Sequence, residues 1–400
     1  MRSSACLILA AACGGSPSSG TVTVTAKTVG QPVAGASVYF LDADDALVKT
    51  TTTDATGTAS AELTSGGSVT LVTFDAASRF GELHSWLAVE PGDALVLAAG
   101  IPPTQTTETI SAQIDLATGV TGTSLDTNCG QMSDNATIQL FDCPSPVQLV
   151  VFSTNASGIV DAFVPAPVPV IDGASVEVTG TYTPAADTAI AVENIPADTA
   201  SAYTVLAIPG SPRAFGATKI ELTLSAGSGV GSARFPTDAS TARVLETAVV
   251  PETGSSQIVL MHRPSATSYT IDLDPQLLAD FATAPAVDVA RSQVAWQLAS
   301  TGVAPDYVNL EVTSNRDSTS WEWTLFGPGD ASGLRIPSIP ADLFAFAPAP
   351  GDSTAVGSAT SVLVTGGYTA AVRDHVFDDG APSIEAAGGP DLTLLDWEAQ

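Results

Sequence analysis

Between Ser37 and Phe74 short runs alternate from face to face or are rich in β-branched residues, and clusters of Asp, Gly and Ser interrupt them at intervals of about ten residues. A period of two places alternate side chains on opposite faces, so the pattern predicts short antiparallel strands joined by tight turns. In ASVYFLDAD, Val38 and Phe40 alternate with Ser37, Tyr39 and Leu41, which predicts a strand with one face on a core. Asp42 to Ala46 is a turn, because Asp side chains bond their own backbone and tolerate tight bends. LVKTTTT is a second strand, rich in β-branched residues that suit a pleated surface. Thr53 to Gly57 turns again, and TASAEL follows with Ala59, Ala61 and Leu63 on one face. Ser65 to Gly67 is the next turn, before the strand SVTLVTF.

The same rhythm continues less cleanly. Leu87, Val89, Leu95 and Leu97 predict two closing strands around an EPGD turn, and the Pro/Thr run at 101–107 is a linker. In TISAQIDL, Ile110, Ala112, Ile114 and Leu116 share a face; in SVEVTGTYTPA, Val176 and Val178 point inward. GSGVG, from Gly227 to Gly231, reads as a glycine-rich loop. No Lys-Ser/Thr follows it and no helix comes next, so it is not a phosphate cradle. PQLLADF predicts a short helix, with Asp274 as N-cap and Pro275 at its first position. Further strands surround Trp296, Tyr307 and the WEWTLF run. The expected organisation is all-β: a leader and tether over 1–20, then tandem antiparallel β-sandwich modules over 21–100, 108–180, 181–283 and 284–400.

Three segments carry a resemblance. QPVAGASVYF, TDATGTASAEL and GGSVTLV resemble the carboxypeptidase regulatory-like domain and are similar to bacterial Ig-like modules, over about Thr21 to Gly100. The resemblance implies a small non-catalytic β-sandwich. A strand centred on Trp296 followed by one containing Tyr307 is similar to fibronectin type III modules. As a whole, the arrangement resembles multi-domain lipoproteins of predatory or soil Deltaproteobacteria, myxobacteria included. Those share the regulatory-like first domain, a Cys pair in the second, and a W-x-W-T strand before a P-x-x-P segment. The matching residues here are Cys129, Cys143, Trp321, Trp323, Thr324, Pro337 and Pro340. That likeness implies a place in the cell envelope rather than an activity.

Charge narrows the partners. With 13 Lys plus Arg against 42 Asp plus Glu, the formal net charge is -29. A phosphate backbone would be repelled and no basic patch exists to receive it, so nucleic acid is excluded as a partner. The N-terminal twenty residues have the order of a secretory signal: Arg2, an apolar run from Ala5 to Ala12, then Cys13. ILAAAC followed by GG resembles a bacterial lipobox, although Ala10 stands where Leu is usual. The resemblance implies lipidation of Cys13, with GGSPSSG as tether and an outer-membrane or cell-surface location; a periplasmic or secreted protein is the alternative. No later stretch reaches the ~18 apolar residues of a membrane-spanning helix. In an exported chain Cys129 and Cys143 are expected to be bonded, closing a loop of about 15 residues worth about 3 kcal/mol.

Candidate chemistry is sparse. His84, His262 and His375 lie in three different expected modules, and no H-E-x-x-H, G-x-S-x-G or C-x-x-C occurs. Asp42, Asp44 and Asp45, and again Asp374, Asp378 and Asp379, could supply some of the oxygens Ca2+ requires, or be solvated turn residues. Trp321 and Trp323 share a strand face: exposed, they would stack on sugar rings; buried, with Leu325 extending the face, they are core. The reading is an exported surface protein with a structural or interaction role and an unknown protein or polysaccharide partner. Its alternatives are a carbohydrate-binding array with Trp321 and Trp323 exposed, or a hydrolase with a carboxylate pair in a pocket.

Overall fold

The computed structural model describes residues 19–28, 31–75, 79–98, 107–114, 122–129, 131–132, 137–141, 145–155, 158–210, 214–236, 240–274, 276–317, 319–329, 332–338, 346–364, 367–368, 377–378, 381–382 and 391–398. Nearly all their regular structure is β-strand. The fold is all-β.

The first stretch contributes β1 (Gly20–Thr28), β2 (Gln31–Pro32), β3 (Ser37–Asp42), β4 (Leu47–Thr52), β5 (Thr58–Leu63), β6 (Gly67–Asp75), β7 (Phe80–Val89) and β8 (Ala94–Ala98). One layer places β1 between antiparallel β5 and parallel β8; the other runs β4-β3-β6-β7. Alternate residues fill the space between them: Val22, Val24, Ala59, Ala61, Leu95 and Leu97 from one layer, Val38, Phe40, Val69, Leu71 and Trp86 from the other. The turns are held by carboxylates. Asp42 Oδ1 accepts the N–H groups of Asp44 and Ala46, both at 2.9 Å, and Asp54 Oδ1 accepts those of Thr56 and Thr58. Asp93 Oδ2 accepts Glu90 N–H in the EPGD turn, which carries the chain from one layer to the other.

The second stretch contributes β9 (Thr107–Ile114), β10 (Gly122–Thr127), β11 (Gln131–Met132), β12 (Thr137–Phe141), β13 (Leu149–Asn155), β14 (Gly158–Phe163) and β15 (Ser175–Val178). Sheet β11-β12-β9-β15 and strands β10-β13-β14 enclose Ile110, Leu125, Cys129, Leu149, Val151 and Phe163. The third contributes β16 (Thr183–Glu193), β17 (Thr199–Ile208), β18 (Phe215–Glu221), β19 (Thr223–Ser225), β20 (Ser228–Pro236), β21 (Ala242–Pro251), β22 (Ser256–Pro264) and β23 (Ser268–Asp272). Strand β14 pairs with β16, so the second and third stretches share a sheet.

Two local expectations fail here. GSGVG is mostly strand: only Gly227, at φ 75°, lies in the turn, while Gly229 and Gly231 belong to β20. A Cβ on Gly231 would stand 2.7 Å from Ile220 Cγ2, so glycine serves close packing. The described part of PQLLADF, residues 276–281, is not a helix. Leu277 N–H reaches Leu273 O for one turn, and then Leu278 is drawn into the core, pairing as an isolated bridge with Val303. Tertiary burial of one leucine outweighs a good cap.

The fourth stretch contributes β24 (Phe281–Asp288), β25 (Gln293–Leu298), β26 (Tyr307–Arg316), β27 (Thr319–Pro328), β28 (Gly333–Arg335), β29 (Ser353–Val364), β30 (Phe377–Asp378), β31 (Ala381–Pro382) and β32 (Leu392–Glu398). The strands do not close within their own stretch. A single twelve-stranded sheet runs β18-β17-β21-β22-β32-β29-β26-β27-β7-β6-β3-β4. It joins the third stretch to the fourth at β22/β32, antiparallel, and the fourth to the first at β27/β7, parallel. One face of this sheet meets β5-β1-β8, with Tyr307, Phe326, Val362 and Leu392 from the fourth stretch entering the first core. On the other face, β24-β25-β28 supplies Val294, Trp296 and Leu334 to a core with Val308, Leu310, Trp321 and Trp323.

This explains a departure in β3. Val38, Tyr39, Phe40 and Leu41 are all buried, where one buried face was expected. Tyr39 and Val72, which alternation assigns to solvent, pack into the core shared with the fourth stretch. By contrast β4 forms the end of the long sheet and stays exposed, Leu47 and Val48 included. Among the described residues no helix is long and apolar enough to cross a membrane.

Candidate functional site

Trp321, Trp323 and Leu325 alternate on one face of β27, and that face is covered. Trp321 is 2% exposed and Trp323 1%, so no ring face is open to a sugar, and the stacking platform is corrected to core. Phe346 meets Trp321 edge-on, with centroids 6.2 Å apart, and the Arg316 guanidinium stands 5.4 Å from the Trp321 ring. Arg316 is fixed there by a two-pronged pair with Asp352, Nε to Oδ1 at 2.8 Å and Nη2 to Oδ2 at 2.6 Å. The Arg316 hydrogen bond holds the Asp352 carboxyl below its usual value.

The parallel joint between β7 and β27 gathers more chemistry than any single stretch. Trp323 donates its indole N–H to Ser85 Oγ at 2.8 Å, and Ser85 Oγ shares a hydrogen bond of 2.7 Å with Thr70 Oγ1. All three side chains are buried, so the bonds form in a low-dielectric setting where an unmade bond is expensive. On the opposite face Trp86 stacks on Phe326, centroids 4.6 Å apart and planes 15° from parallel. Further along that face the register sets Glu82 beside Glu322 and His84 beside Thr324. Sequence reading singled out the tryptophans but not Ser85, Thr70, Glu82 or Glu322. Local alternation could have placed Glu322 on the face opposite the tryptophans; nothing local names its neighbours.

The acidic loop of the first stretch is not a cation cage. Asp42 Oδ1 is taken by backbone N–H groups, and Asp45 turns away, at φ 59°, to meet Arg335 of β28 at 2.5 Å. Burial raises the Asp45 carboxyl and Arg335 opposes the rise. The Ca2+ reading there gives way to an ion pair between two stretches. Of the second acidic loop, Asp374 and Asp379 lie outside the described residues, as does the side chain of Asp378. Cys13, Cys143 and His375 also lie outside them, whereas Cys129 is buried in the second core. Among the described residues no group of three His, Cys, Asp or Glu side chains could hold a metal ion.

A cleft of about 340 Å³ opens at the junction of the third and fourth stretches, between Pro196, Pro251, Leu277 and Gly302. Three of its polar side chains hold the chain. Asp280 Oδ1 accepts from Ser255 Oγ at 2.7 Å, while Gln257 donates to Leu278 O and accepts from Leu278 N–H. These bonds tie the segment around Ser255 and Gln257 to the one around Leu278 and Asp280.

No family model matches the chain, and no curated protein matches it. Solved structures give partial likenesses. A candidate adhesin from Bacteroides ovatus is 9% identical, over 39% of this chain and 83% of its own, with a TM-score of 0.17. The TIE protein of Bacillus anthracis is 12% identical over 64% of this chain and 50% of its own, again at 0.17. BcpA, the major pilin subunit of Bacillus cereus, is 10% identical over 64% of this chain and 98% of its own, at 0.15. This chain therefore spans half the length of the Bacillus anthracis protein. At these scores the likenesses carry no argument about activity or partners.

Proposed function

We propose that this protein is a non-catalytic structural or interaction element of the cell surface, exported and held to the envelope through a lipid on Cys13. The observation that supports a structural role is the continuous twelve-stranded sheet, in which the first and last stretches are hydrogen-bonded to one another. Beads on flexible linkers reorient independently; strands shared across stretches fix their relative positions, which suits a stiff spacer that presents loops and an edge strand. The exposed residues of β4, free of acidic side chains in a strongly acidic chain, offer one such edge to a surface ligand. A disulfide between Cys129 and Cys143 belongs to the same reading, and the burial of Cys129 suits it.

Fractionation of cells producing the wild type and Cys13→Ser, with protease added to intact cells, tests the proposal. The wild type is expected in the membrane fraction and sensitive to external protease, with the variant released or retained unprocessed. Wild-type protein in the cytoplasmic fraction, insensitive to external protease, overturns it.

A further inference from the structure

Among the described residues, the face of the β7/β27 joint opposite Trp323 gathers three glutamates and one histidine, with no Lys or Arg paired to them. Parallel register places Glu322 beside Glu82, and Thr324 beside His84. On the other side of β27, antiparallel register places Thr313 opposite Glu322 and Glu311 opposite Thr324. Since neighbouring strands lie about 5 Å apart, Glu82, Glu322 and Glu311 converge on one patch. The patch is partly desolvated: the Glu82 side chain is 18% exposed and His84 12%. Among the described residues, three strands bring groups to the patch. Strand β7 brings Glu82 and His84, whose Nε2 is 4.0 Å from Glu82 Oε2, and β26 brings Glu311. Strand β29 brings Gly357 and Ser358, whose hydroxyl donates to Glu311 Oε2 at 3.5 Å. Arg79 lies at the end of the joint, but its guanidinium bonds Thr319. Among the described residues no Lys or Arg pairs with Glu82, Glu311 or Glu322.

We propose that this patch makes the joint between the first and last stretches pH-responsive, tightening as the Glu322 carboxyl takes up a proton and loosening as it ionises. Like charges in register across two strands repel, and low dielectric strengthens the repulsion. The ionisation behaviour agrees in direction. Burial raises the Glu322 carboxyl above its ordinary value, Glu311 and then Glu82 raise it further, and His84 offsets part. A carboxyl whose folded pKa exceeds its unfolded one gives stability that is complete below the unfolded value, 4.5 for Glu322. That stability is lost as pH rises through the folded value. The joint is therefore firmest in mild acid.

Hydrogen exchange on the full chain between pH 4 and pH 8, corrected for the intrinsic pH dependence of exchange, reads the joint directly. Protection of β7 and β27 amides, relative to β17 and β21 in the same molecule, is expected to fall as pH rises. In Glu322→Gln that fall should be lost, and relative protection at pH 8 should exceed the wild type's. Glu82→Gln, which removes the lesser of the two neighbouring charges, should lessen the fall without abolishing it, and serves if Glu322→Gln does not fold. A wild-type ratio that stays constant with pH, or a fall that persists unchanged in the folded variants, overturns the proposal.

Discussion

Trp323 donates its indole N–H to the hydroxyl of Ser85, 2.8 Å away in space and 238 positions away in sequence. Ser85 is fully buried and passes the interaction on to Thr70, so one hydroxyl serves three neighbouring strands. Ser85→Ala leaves both the indole N–H and the Thr70 hydroxyl without this partner in a dry interior. A loss of roughly 1–3 kcal/mol is expected, the desolvation cost of a stranded buried donor. Urea unfolding followed by tryptophan fluorescence measures it; a midpoint equal to the wild type's would show that the bond does not hold the joint.

Gly81 stands in register with Trp321, under the ring of Phe346. A Cβ at Gly81 would lie 2.6 Å from Phe346 Cε1. Gly81→Ala is expected to cost about 1–3 kcal/mol through overpacking, and Phe346→Leu in the same chain should recover part of that by yielding space. A double variant no more stable than the sum of its single variants predicts would refute the collision as the cause.

Arg316 and Asp352 hold one another beside Trp321, and the Asp352 side chain is only 4% exposed. The folded carboxyl is held low by the Arg316 hydrogen bond, so its stability contribution is present above the unfolded value of 3.8 and is lost as pH falls through the folded value. Asp352→Asn should cost about 1–2 kcal/mol at pH 7, below the full worth of a charge-assisted pair because Arg316 remains partly screened by water. Denaturation midpoints of the two proteins should converge as pH drops below the unfolded value.

Arg335 reaches from β28 to Asp45 in the first stretch. Burial already raises Asp45, and Arg335 is the main influence holding it down. Arg335→Ala is expected to raise Asp45 further, so the variant loses stability as pH rises above about 4, where the unfolded carboxyl ionises. Because Arg335 is largely exposed, the difference at neutral pH should stay within about 1 kcal/mol. Thermal unfolding at pH 4 and pH 7 separates this from a simple packing loss, which would be equal at both.

Much of the first stretch was legible because its strands satisfy local rules. Alternation placed Val38, Phe40, Ala59, Ala61 and Leu63 inward, and the Asp42, Asp54 and Asp93 turns follow from side chains that bond their own backbone. What alternation cannot express is a second cover. Tyr39 and Val72 are buried by strands more than two hundred residues away, and no local pattern distinguishes a solvent face from one awaiting a distant partner. The same limit hid the site chemistry. Trp321 and Trp323 were conspicuous in the sequence and prove to be packing, while Ser85, Glu82 and Glu322 acquire meaning only from the parallel register of β7 with β27. PQLLADF failed for a related reason: its caps were sound, but Leu278 had a better place in the core than on a helix.

The parallel pairing also sets an order of events during synthesis. The 238 positions from Ser85 to Trp323 take roughly 10–50 s to translate, and for that interval the first stretch has no β27 to cover the outer edge of β7. Two nascent chains on neighbouring ribosomes would present identical open edges, each a template for the other. Glu82 lies on that edge, and its charge, a burden in the finished joint, would oppose the pairing of two like edges. Refolding yield at high protein concentration should accordingly drop in Glu82→Gln even where the folded variant is the more stable protein.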